Sequence, residues 1–316
     1  MSVAQPLAVV ADPLDKEAVA ELSRHARVAD ATSGKEALER DLPSAQALLV
    51  RSRTKVDAAM ISRGEKLTVI GRAGVGVDNI DVAAATKRGI PVVNAPAAAT
   101  TSVAELVVGL LVAVARDLGS QVPSLKKGEW KKAGNGLELA GRTVGFIGYG
   151  RIAREAGNRL KAFGMKVQAY DPYLTKSPDG APLLSLEELL AGSQVVSLHT
   201  PLTPETKNLL NAGNLSRLPK GAIVLNVARG GLVDEAALLA ALESGHLAGA
   251  GLDVFEEEPP KNAQLLAHPK VVVTPHIGAS THEAQARAGS VTVEQVLKVL
   301  RGETPEYCVN PEARRT

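Results

Sequence analysis

The chain has 316 residues and a formal net charge of +2; this length suits two domains, and without a basic block the charge argues against a nucleic-acid partner. Its longest apolar run, residues 106–115, is shorter than the roughly 20 residues of a membrane-spanning helix, and the start of the chain has no signal-peptide pattern. The single cysteine, Cys308, excludes an internal disulfide framework, so we expect a cytoplasmic protein without a membrane partner.

The first part of the chain predicts a small α/β domain. Apolar runs typical of buried strands occur at residues 7–10, 47–50, 67–70 and 91–93. Strands that alternate with helices form a parallel sheet with helices on both faces. The last helix, about 281–301, is long enough to return to this domain, and a coil is expected from residue 304 onward. We therefore predict a discontinuous domain built from residues 1–94 and 288–316.

Two loops of this domain carry arginine at the carboxyl ends of predicted strands. Arg51 and Arg53 follow the strand at 47–50, and Arg72 lies in the glycine-rich loop 71–78. Open α/β sheets bind their ligands at this edge. Taken singly, each arginine could be a solvated loop residue, but three of them beside a glycine-rich backbone indicate an anion site.

A linker at 94–100 precedes a helix predicted from 101 to 116. Thr101 or Ser102 would cap this helix, with Glu105 completing a capping box after Ser102. This helix is apolar almost all round, so most of its faces must be buried. Either a subunit interface, which would make the protein a homodimer, or an internal core position would bury them.

The stretch from Thr143 to Ala153 is typical of the start of a dinucleotide-binding βαβ unit. An apolar strand leads into the turn Gly148-Tyr149-Gly150, and a helix begins near Arg151. Gly148 permits the tight turn, and Gly150 leaves the backbone open to a pyrophosphate. The helix N-terminus supplies N–H groups and a positive dipole end to the phosphates.

The following strand, 166–170, ends at Asp171, which lies 21 residues beyond Gly150. At that spacing a carboxylate meets a ribose 2′-hydroxyl. Asp171 favours NAD over NADP, because it would repel a 2′-phosphate and neither Pro172 nor Tyr173 supplies a cation. A tight strand-to-helix turn with a capping aspartate is the alternative.

Further strands are predicted at residues 194–199, 222–227, 248–253 and 270–274. With the first two strands they complete a six-stranded sheet. We therefore predict a Rossmann-type doubly wound parallel sheet over residues 95–287, next to the smaller α/β domain.

The last three strands each lead into polar residues that are able to do chemistry. Arg229, the acidic run 256–258 and His276 follow them in turn, and parallel strands place these turns on the edge that carries Gly148. Histidine, with an ordinary pKa of about 6.5, can accept the proton of a hydroxyl while the carbon gives its hydride to a nicotinamide. A glutamate would orient the imidazole, and an arginine would hold a carboxylate by two hydrogen bonds. Taken alone, Arg229 could cap the sheet edge and His276 could be a turn residue, and the pattern leaves open which glutamate acts.

With these features the chain resembles the D-isomer-specific 2-hydroxyacid dehydrogenase family over essentially its full length. The matching stretches are Val50-Arg-Ser52, Gly71-Arg-Ala-Gly-Val-Gly-Val-Asp-Asn-Ile-Asp81, Gly145-Phe-Ile-Gly-Tyr-Gly-Arg-Ile152, Asn226-Val-Ala-Arg-Gly-Gly-Leu-Val-Asp234, Gly251-Leu-Asp-Val-Phe255 and Thr274-Pro-His-Ile-Gly-Ala-Ser-Thr281. The resemblance implies a flavodoxin-like smaller domain, NAD as the cofactor and no metal.

The resemblance also implies roles for individual residues. Its catalytic set is Arg229, Glu258 and His276. Its cofactor-binding set is Gly148, Tyr149, Gly150, Arg151, Ile152, Asp171, Pro172, His199, Thr200, Pro201 and Asp253. Its substrate-binding set is Arg51, Arg72, Gly74, Val75, Gly76 and Lys132, of which Lys132 would reach the neighbouring subunit's site. Asp253 would lie near the nicotinamide carboxamide.

Within the family the chain is most similar to members that oxidise D-3-phosphoglycerate to 3-phosphohydroxypyruvate in serine biosynthesis, so we expect a phosphorylated 2-hydroxy acid as substrate. The alternatives are a reductase of glyoxylate, hydroxypyruvate or another 2-keto acid, and an NADH-sensing binding protein like the family's corepressors. The segment Ala97-Ala98-Ala99 departs from the family's frequent Gly-Gly-Asn, which leaves substrate choice open. Regulation through a C-terminal domain is not expected.

Overall fold

The structure, a computed structural model, describes residues 5–130 and 134–315. The chain forms two compact units, Met1–Ala99 with Ala279–Thr316 and Thr100–Gly278. The domain boundaries drawn from the sequence stay a prediction. Within the described ranges, no helix combines the length and the apolar character that a membrane span requires.

The strands are β1 (Leu7–Val10), β2 (Arg27–Asp30), β3 (Ala47–Val50), β4 (Val69–Arg72), β5 (Val92–Asn94), β6 (Thr143–Ile147), β7 (Lys166–Tyr170), β8 (Val195–Leu198), β9 (Ala222–Asn226), β10 (Leu247–Leu252) and β11 (Val271–Val273). The helices are α1 (Lys16–His25), α2 (Lys35–Asp41), α3 (Ala58–Arg63), α4 (Val82–Lys87), α5 (Thr100–Ala115), α6 (Leu118–Lys126), α7 (Arg151–Ala162), α8 (Leu186–Gly192), α9 (Ala212–Leu215), α10 (Glu235–Glu243), α11 (Ala263–Ala267) and α12 (His282–Leu300). Short 3-10 turns lie at Leu42–Ser44, Gly230–Leu232 and Pro311–Arg315.

Among the described residues, the first unit contains a five-stranded parallel sheet in the order β2-β1-β3-β4-β5. Successive side chains of its buried strands point to opposite faces. Leu48 of β3 packs in the cluster that includes Ile61 of α3, whereas Leu49 packs in the cluster that includes Val293 of α12. This is the flavodoxin-like strand order, so the predicted smaller α/β domain is confirmed. The edge strand β2 was not predicted.

The second unit contains, within its described residues, a six-stranded parallel sheet in the order β11-β10-β9-β8-β6-β7. The predicted Rossmann-type sheet is thereby confirmed. The strand order reverses between β6 and β8, and ligands of such sheets bind outside the carboxyl ends of the strands at this switch point.

Helix α5 packs on this sheet and against α7. Glycines in β10 permit the close approach: a Cβ on Gly249 would lie 2.6 Å from Val114, and one on Gly251 would lie 3.1 Å from Leu110. The predicted cap is wrong, because α5 begins at Thr100, so that Thr101 and Ser102 lie inside its first turn and Ser102 is buried. Much of the apolar surface of α5 is therefore buried inside its own unit.

The C-terminal tail is also more ordered than the predicted coil. Val309 donates its backbone N–H to Val92 at 2.8 Å, and Cys308 forms an antiparallel bridge with Val93. The buried Asn310 side chain accepts the N–H of Val92 at 2.6 Å and donates to the carbonyl of Ile90 at 3.0 Å. The tail thus covers the outer edge of β5, which would otherwise expose unpaired backbone groups.

Candidate active site

The turn after β6 contains two glycines that are needed for different reasons. Gly148 has φ +83°, and a Cβ there would lie 2.7 Å from the carbonyl oxygen of His199, so the fold itself requires glycine. Gly150 has an ordinary φ of −76°, and no protein atom lies within 4 Å of the place of a Cβ. Gly150 is itself the N-cap residue of α7, so no side chain of the cap residue bonds the N–H groups of the first turn. An open backbone at an uncapped helix N-terminus fits a pyrophosphate.

Asp171 follows β7 directly and holds this turn. Its carboxylate accepts the backbone N–H of Tyr149 at 2.9 Å with one oxygen and that of Tyr173 at 3.0 Å with the other. Each carboxylate oxygen has a second lone pair that remains for a ligand hydroxyl. The position therefore suits the ribose contact expected from the sequence, while Pro172 and Tyr173 are exposed beside it.

His199 lies at the end of β8, and its imidazole is turned into the protein. Its Nε2 lies 2.8 Å from the Ser197 hydroxyl, and its ring packs on Phe146 with centroids 5.3 Å apart. Burial lowers the pKa of His199 to about 3, so the ring is neutral at pH 7. It is thus the backbone of the 199–201 segment that borders the Gly148 turn, and any contact with the cofactor stays a prediction.

Glu258 and His276 lie at the carboxyl ends of β10 and β11, and the structure brings their side chains together. Nδ1 of His276 lies 2.8 Å from Oε2 of Glu258, and the two side chains are 51% and 40% exposed. The neighbouring carboxylate of Glu257 pairs instead with Lys261 at 2.6 Å. Geometry therefore singles out Glu258, which sequence spacing had left open.

The loop that carries His276 is held by Asp253, a carboxylate that is only 1% exposed. Its oxygens accept the Thr274 hydroxyl at 2.6 Å and the backbone N–H groups of Ile277 and Gly278 at 2.8 Å each. His276 itself has φ +52°, a conformation that costs a non-glycine residue on the order of 1–3 kcal/mol. These bonds hold it there, so the Asp253 carboxylate faces the catalytic loop; a further contact with the nicotinamide carboxamide stays a prediction.

Arg229 follows β9, the strand next to β10. The Asn226 side chain fixes its backbone by donating to the carbonyl of Arg229 at 2.8 Å, and the guanidinium donates to the carbonyl of Ala228 at 2.7 Å. A Cβ on Gly230 would collide with the backbone of Phe255, so this glycine allows the Arg229 loop to touch the loop that leads to Glu258. The ends of three neighbouring strands thus carry an arginine, a glutamate and a histidine.

Two of the three arginines predicted to form an anion site in the first unit lie next to each other at the sheet edge. Arg72 is paired in register with Val50, so Arg51 and Arg72 stand at the ends of adjacent strands. The Arg72 guanidinium lies against Gly74, which has φ +153°, where a Cβ would collide with it. The Arg53 guanidinium donates to the carbonyl of Thr32 at 3.0 Å and pairs with the Asp12 carboxylate at 3.5 Å.

Two buried or half-buried polar residues that sequence reasoning missed hold the loop that carries Arg51. Asp12 accepts the backbone N–H of Arg51 at 2.6 Å and both the N–H and the hydroxyl of Thr54. Asn79 donates to the carbonyls of Arg51 and Thr54 at 2.7 and 2.6 Å. The available signal was weak: Asp12 is a polar residue directly after the apolar run of β1.

The remaining predicted residues lie around these points. Asn94, at the end of β5, donates to the carbonyl of Val75 at 2.6 Å, which fixes the backbone between Gly74 and Gly76. Ala98 and Ala99 are buried. Lys132 lies outside the described residues. Within those residues, no cluster of three or more His, Cys, Asp and Glu side chains could hold a metal ion.

Comparisons with known proteins agree with this geometry. Residues 108–278 match the family model "D-isomer specific 2-hydroxyacid dehydrogenase, NAD binding domain". A D-3-phosphoglycerate dehydrogenase of Methanocaldococcus jannaschii is 49% identical over 308 residues, which cover 96% of this chain and 59% of that protein. A hydroxypyruvate reductase of Thermotoga maritima is 46% identical over 300 residues, covering 92% of this chain and 97% of that protein.

A solved structure is similar over the whole chain. The D-lactate dehydrogenase of Aquifex aeolicus, complexed with NAD and lactic acid, has a TM-score of 0.83 and 29% identity, covering 96% of this chain and 99% of that one. The chain belongs to the D-isomer specific 2-hydroxyacid dehydrogenase family, and its cofactor is NAD. It spans 59% of the length of the phosphoglycerate dehydrogenase just described.

The two glycines of the turn should respond differently to the same substitution. Gly150→Ala should leave the thermal midpoint within about 2 °C of the parent but weaken NAD binding at least tenfold, because the methyl group enters only the space assigned to the pyrophosphate. Gly148→Ala should destabilise the protein, because it combines a left-handed backbone with a collision. Thermal unfolding and NAD titration measure both effects. If Gly150→Ala binds NAD like the parent, the pyrophosphate does not lie there.

Proposed function

We propose that the protein is a cytoplasmic NAD-dependent dehydrogenase that oxidises D-3-phosphoglycerate to 3-phosphohydroxypyruvate. The observation that carries the proposal is the contact of 2.8 Å between His276 and Glu258, on the sheet edge that also bears the Gly148 turn. A histidine backed by a carboxylate at this edge is the acid–base pair that oxidation of a hydroxyl requires.

The mechanism follows from this arrangement. Glu258 accepts a hydrogen bond from Nδ1–H of His276, which leaves Nε2 as the basic nitrogen and stabilises the imidazolium that forms. Nε2 takes the proton of the substrate C2 hydroxyl. The turn 148–150 and Asp171 would hold NAD, which would supply the acceptor for the hydride that leaves C2. For the reverse reaction, His276 returns the proton to the carbonyl oxygen of the keto acid.

Arginines would orient the substrate in this proposal. Arg229 would hold the substrate carboxylate by two parallel hydrogen bonds and so fix C2 for transfer. Arg51 and Arg72 would bind the phosphate, with the backbone of residues 74–76 near the carboxylate. Within the described residues the Arg51 guanidinium has no hydrogen-bond or ion-pair partner, which supports a role in ligand binding. The name and the 49% identity of the Methanocaldococcus jannaschii relative support the choice of substrate.

A hydroxypyruvate reductase is the second candidate. The Thermotoga maritima relative of that name matches this chain over 97% of its own length. The two candidates share the acid–base pair and differ in whether the substrate carries a phosphate. Turnover of hydroxypyruvate well above that of 3-phosphohydroxypyruvate would favour the reductase.

Removing the proposed phosphate contact should change substrate preference. For Arg51→Ala we expect kcat/KM for 3-phosphoglycerate to fall roughly 10- to 150-fold, the loss expected for a charge-assisted hydrogen bond, while kcat/KM for D-glycerate changes little. Arg53→Ala is the matched control, because its guanidinium already has protein partners, the carbonyl of Thr32 and the carboxylate of Asp12, and it should retain the preference. Equal losses on both substrates in Arg51→Ala would contradict phosphate binding by this residue.

Removing the carboxylate clamp should abolish turnover without affecting the cofactor. Arg229→Ala should lower kcat/KM by at least 1000-fold, because both positioning and charge are lost, and Arg229→Lys should recover only part of it, because ammonium cannot form the paired contact. NAD affinity, measured by titration, should stay within about twofold of the parent. Near-normal kcat/KM in Arg229→Ala would remove Arg229 from the mechanism.

We also propose a homodimer, formed through α5, as expected from the sequence, and its neighbour α6. Helix α6 has no buried residue, and Leu118, Val122 and Leu125 are 41%, 46% and 57% exposed. Their spacing of four and three residues places them on one face of the helix. An apolar helix face of this kind is typical of an interface between protein chains.

A charge on that face should disrupt the dimer. Leu125→Glu should shift the protein to the monomer mass, because the carboxylate would have to lose its water in the interface. Phe163→Glu, a comparable change at the end of α7, should leave the dimer intact. Light scattering coupled to size exclusion reads out both variants. A parent protein that is itself a monomer would overturn the proposal.

A further inference from the structure

The loop that follows β7 leaves the sheet and returns to pair with the same strand. The chain leaves the strand at Asp171 and returns beside it, where the N–H of Ala169 donates to the carbonyl of Pro182 and the N–H of Leu184 donates to the carbonyl of Ala169, each at 2.9 Å. Residues 171–182, termed the ribose-side loop below, therefore begin and end at the same point of the sheet. The loop begins with the carboxylate that is proposed to bind ribose.

Asp179 organises the interior of the ribose-side loop. Its carboxylate accepts hydrogen bonds from the Ser177 hydroxyl at 2.6 Å, the Tyr149 hydroxyl at 2.9 Å and the Lys161 ammonium at 3.1 Å. Burial alone would raise the pKa of Asp179, but these hydrogen bonds outweigh it and hold the pKa well below its ordinary value. The carboxylate is therefore charged at neutral pH, and each bond to it is charge-assisted.

Tyr149 touches the ribose-side loop at both ends. Its backbone N–H donates to Asp171 and its hydroxyl donates to Asp179. The ring between them is 1% exposed and lies near Phe146, with centroids 5.9 Å apart. It passes along α7 where that helix has Gly157, since a Cβ there would lie 3.5 Å from the Tyr149 hydroxyl. Tyr149, the middle residue of the turn 148–150, thus contacts both the first residue of the ribose-side loop and Asp179 near its end.

This path joins two parts of the cofactor site that are separate in sequence. The turn 148–150 would face the pyrophosphate, and Asp171 would face the adenosine ribose. A phenylalanine at position 149 would fill the same space but would leave Asp179 without one of its donors. The tyrosine hydroxyl therefore adds to packing a defined bond between the turn and the loop.

We propose that Tyr149 is a positioning residue for NAD: its bond to Asp179 holds the ribose-side loop in the shape that presents Asp171, and so sets the affinity for the adenosine half of the cofactor. The proposal rests on the ribose-binding role of Asp171 and does not depend on the identity of the hydroxy acid. Because Tyr149 does not contact the reacting atoms, it should act mainly on cofactor binding.

Tyr149→Phe tests the proposal directly. We expect the dissociation constants of NAD and of ADP-ribose to rise about three- to tenfold by equal factors, because part of a charge-assisted bond is lost before binding. In turnover assays the loss should appear mainly as a higher KM for NAD, with a smaller effect on kcat. Tyr170→Phe is the matched control: it removes a hydroxyl at the end of β7 that makes no hydrogen bond within the described residues, and it should leave both dissociation constants unchanged.

A double-mutant cycle with Asp179→Ala separates the bond from general destabilisation. If the bond carries the effect, Tyr149→Phe should weaken ADP-ribose binding no further in an Asp179→Ala background. A lower thermal midpoint with unchanged ADP-ribose affinity would make Tyr149 merely structural and would overturn the proposal, as would Asp171→Ala with unchanged ADP-ribose affinity. ADP-ribose binding is measured without turnover, so these outcomes are distinct from a failure of the proposed dehydrogenase activity.

Discussion

Three aspartates, each placed within two residues of the end of a strand, make the same kind of interaction, and the order of the binding loops depends on it. Asp171 follows β7 and accepts an N–H from the turn after β6. Asp253 follows β10 and accepts N–H groups from the loop after β11. Asp12 follows β1 and accepts N–H groups from the loop after β3. In each case the carboxylate ties its own strand end to the loop of the neighbouring strand.

This interaction is stable because the geometry removes the usual cost of a buried carboxylate. A carboxylate taken out of water is costly unless its oxygens are hydrogen-bonded, and Asp12 and Asp253, each 1% exposed, each accept three such bonds. Parallel strands bring the donors close, because their loops emerge at one edge a strand spacing apart. The left-handed backbone of His276 is a strained conformation that Asp253 can hold for this reason, and preorganised geometry of that kind lowers the barrier to proton and hydride transfer.

Much of the fold could be predicted from local pattern, whereas the loop-holding contacts could not. Apolar runs located the strands of both sheets to within a few residues, and the glycine turn located the start of the second sheet's βαβ unit. The edge strand β2 was missed because only two of its four residues, Arg27-Val-Ala-Asp30, are apolar. The bond between Asp12 and Arg51 spans 39 residues, and no local period records a pairing at that distance. Spacing alone likewise did not choose Glu258 from the run of three glutamates; the family resemblance did, and the contact between His276 and Glu258 agrees with that choice.

The structure distinguishes glycines that the fold requires from a glycine that it does not, although they look equivalent in sequence. Gly148 and Gly230 are needed by the protein itself, because a Cβ at either would meet the backbone of a neighbouring loop. Gly150 meets nothing within 4 Å, so neither its backbone angle nor its packing requires glycine. Where a fold leaves space that its own packing does not need, at a helix start whose N–H groups have no cap, the remaining constraint is a ligand. Tyr149, between the two glycines, serves both the fold and the proposed cofactor site. Its ring packs in the protein interior, and its hydroxyl donates to Asp179 in the loop that would hold the ribose.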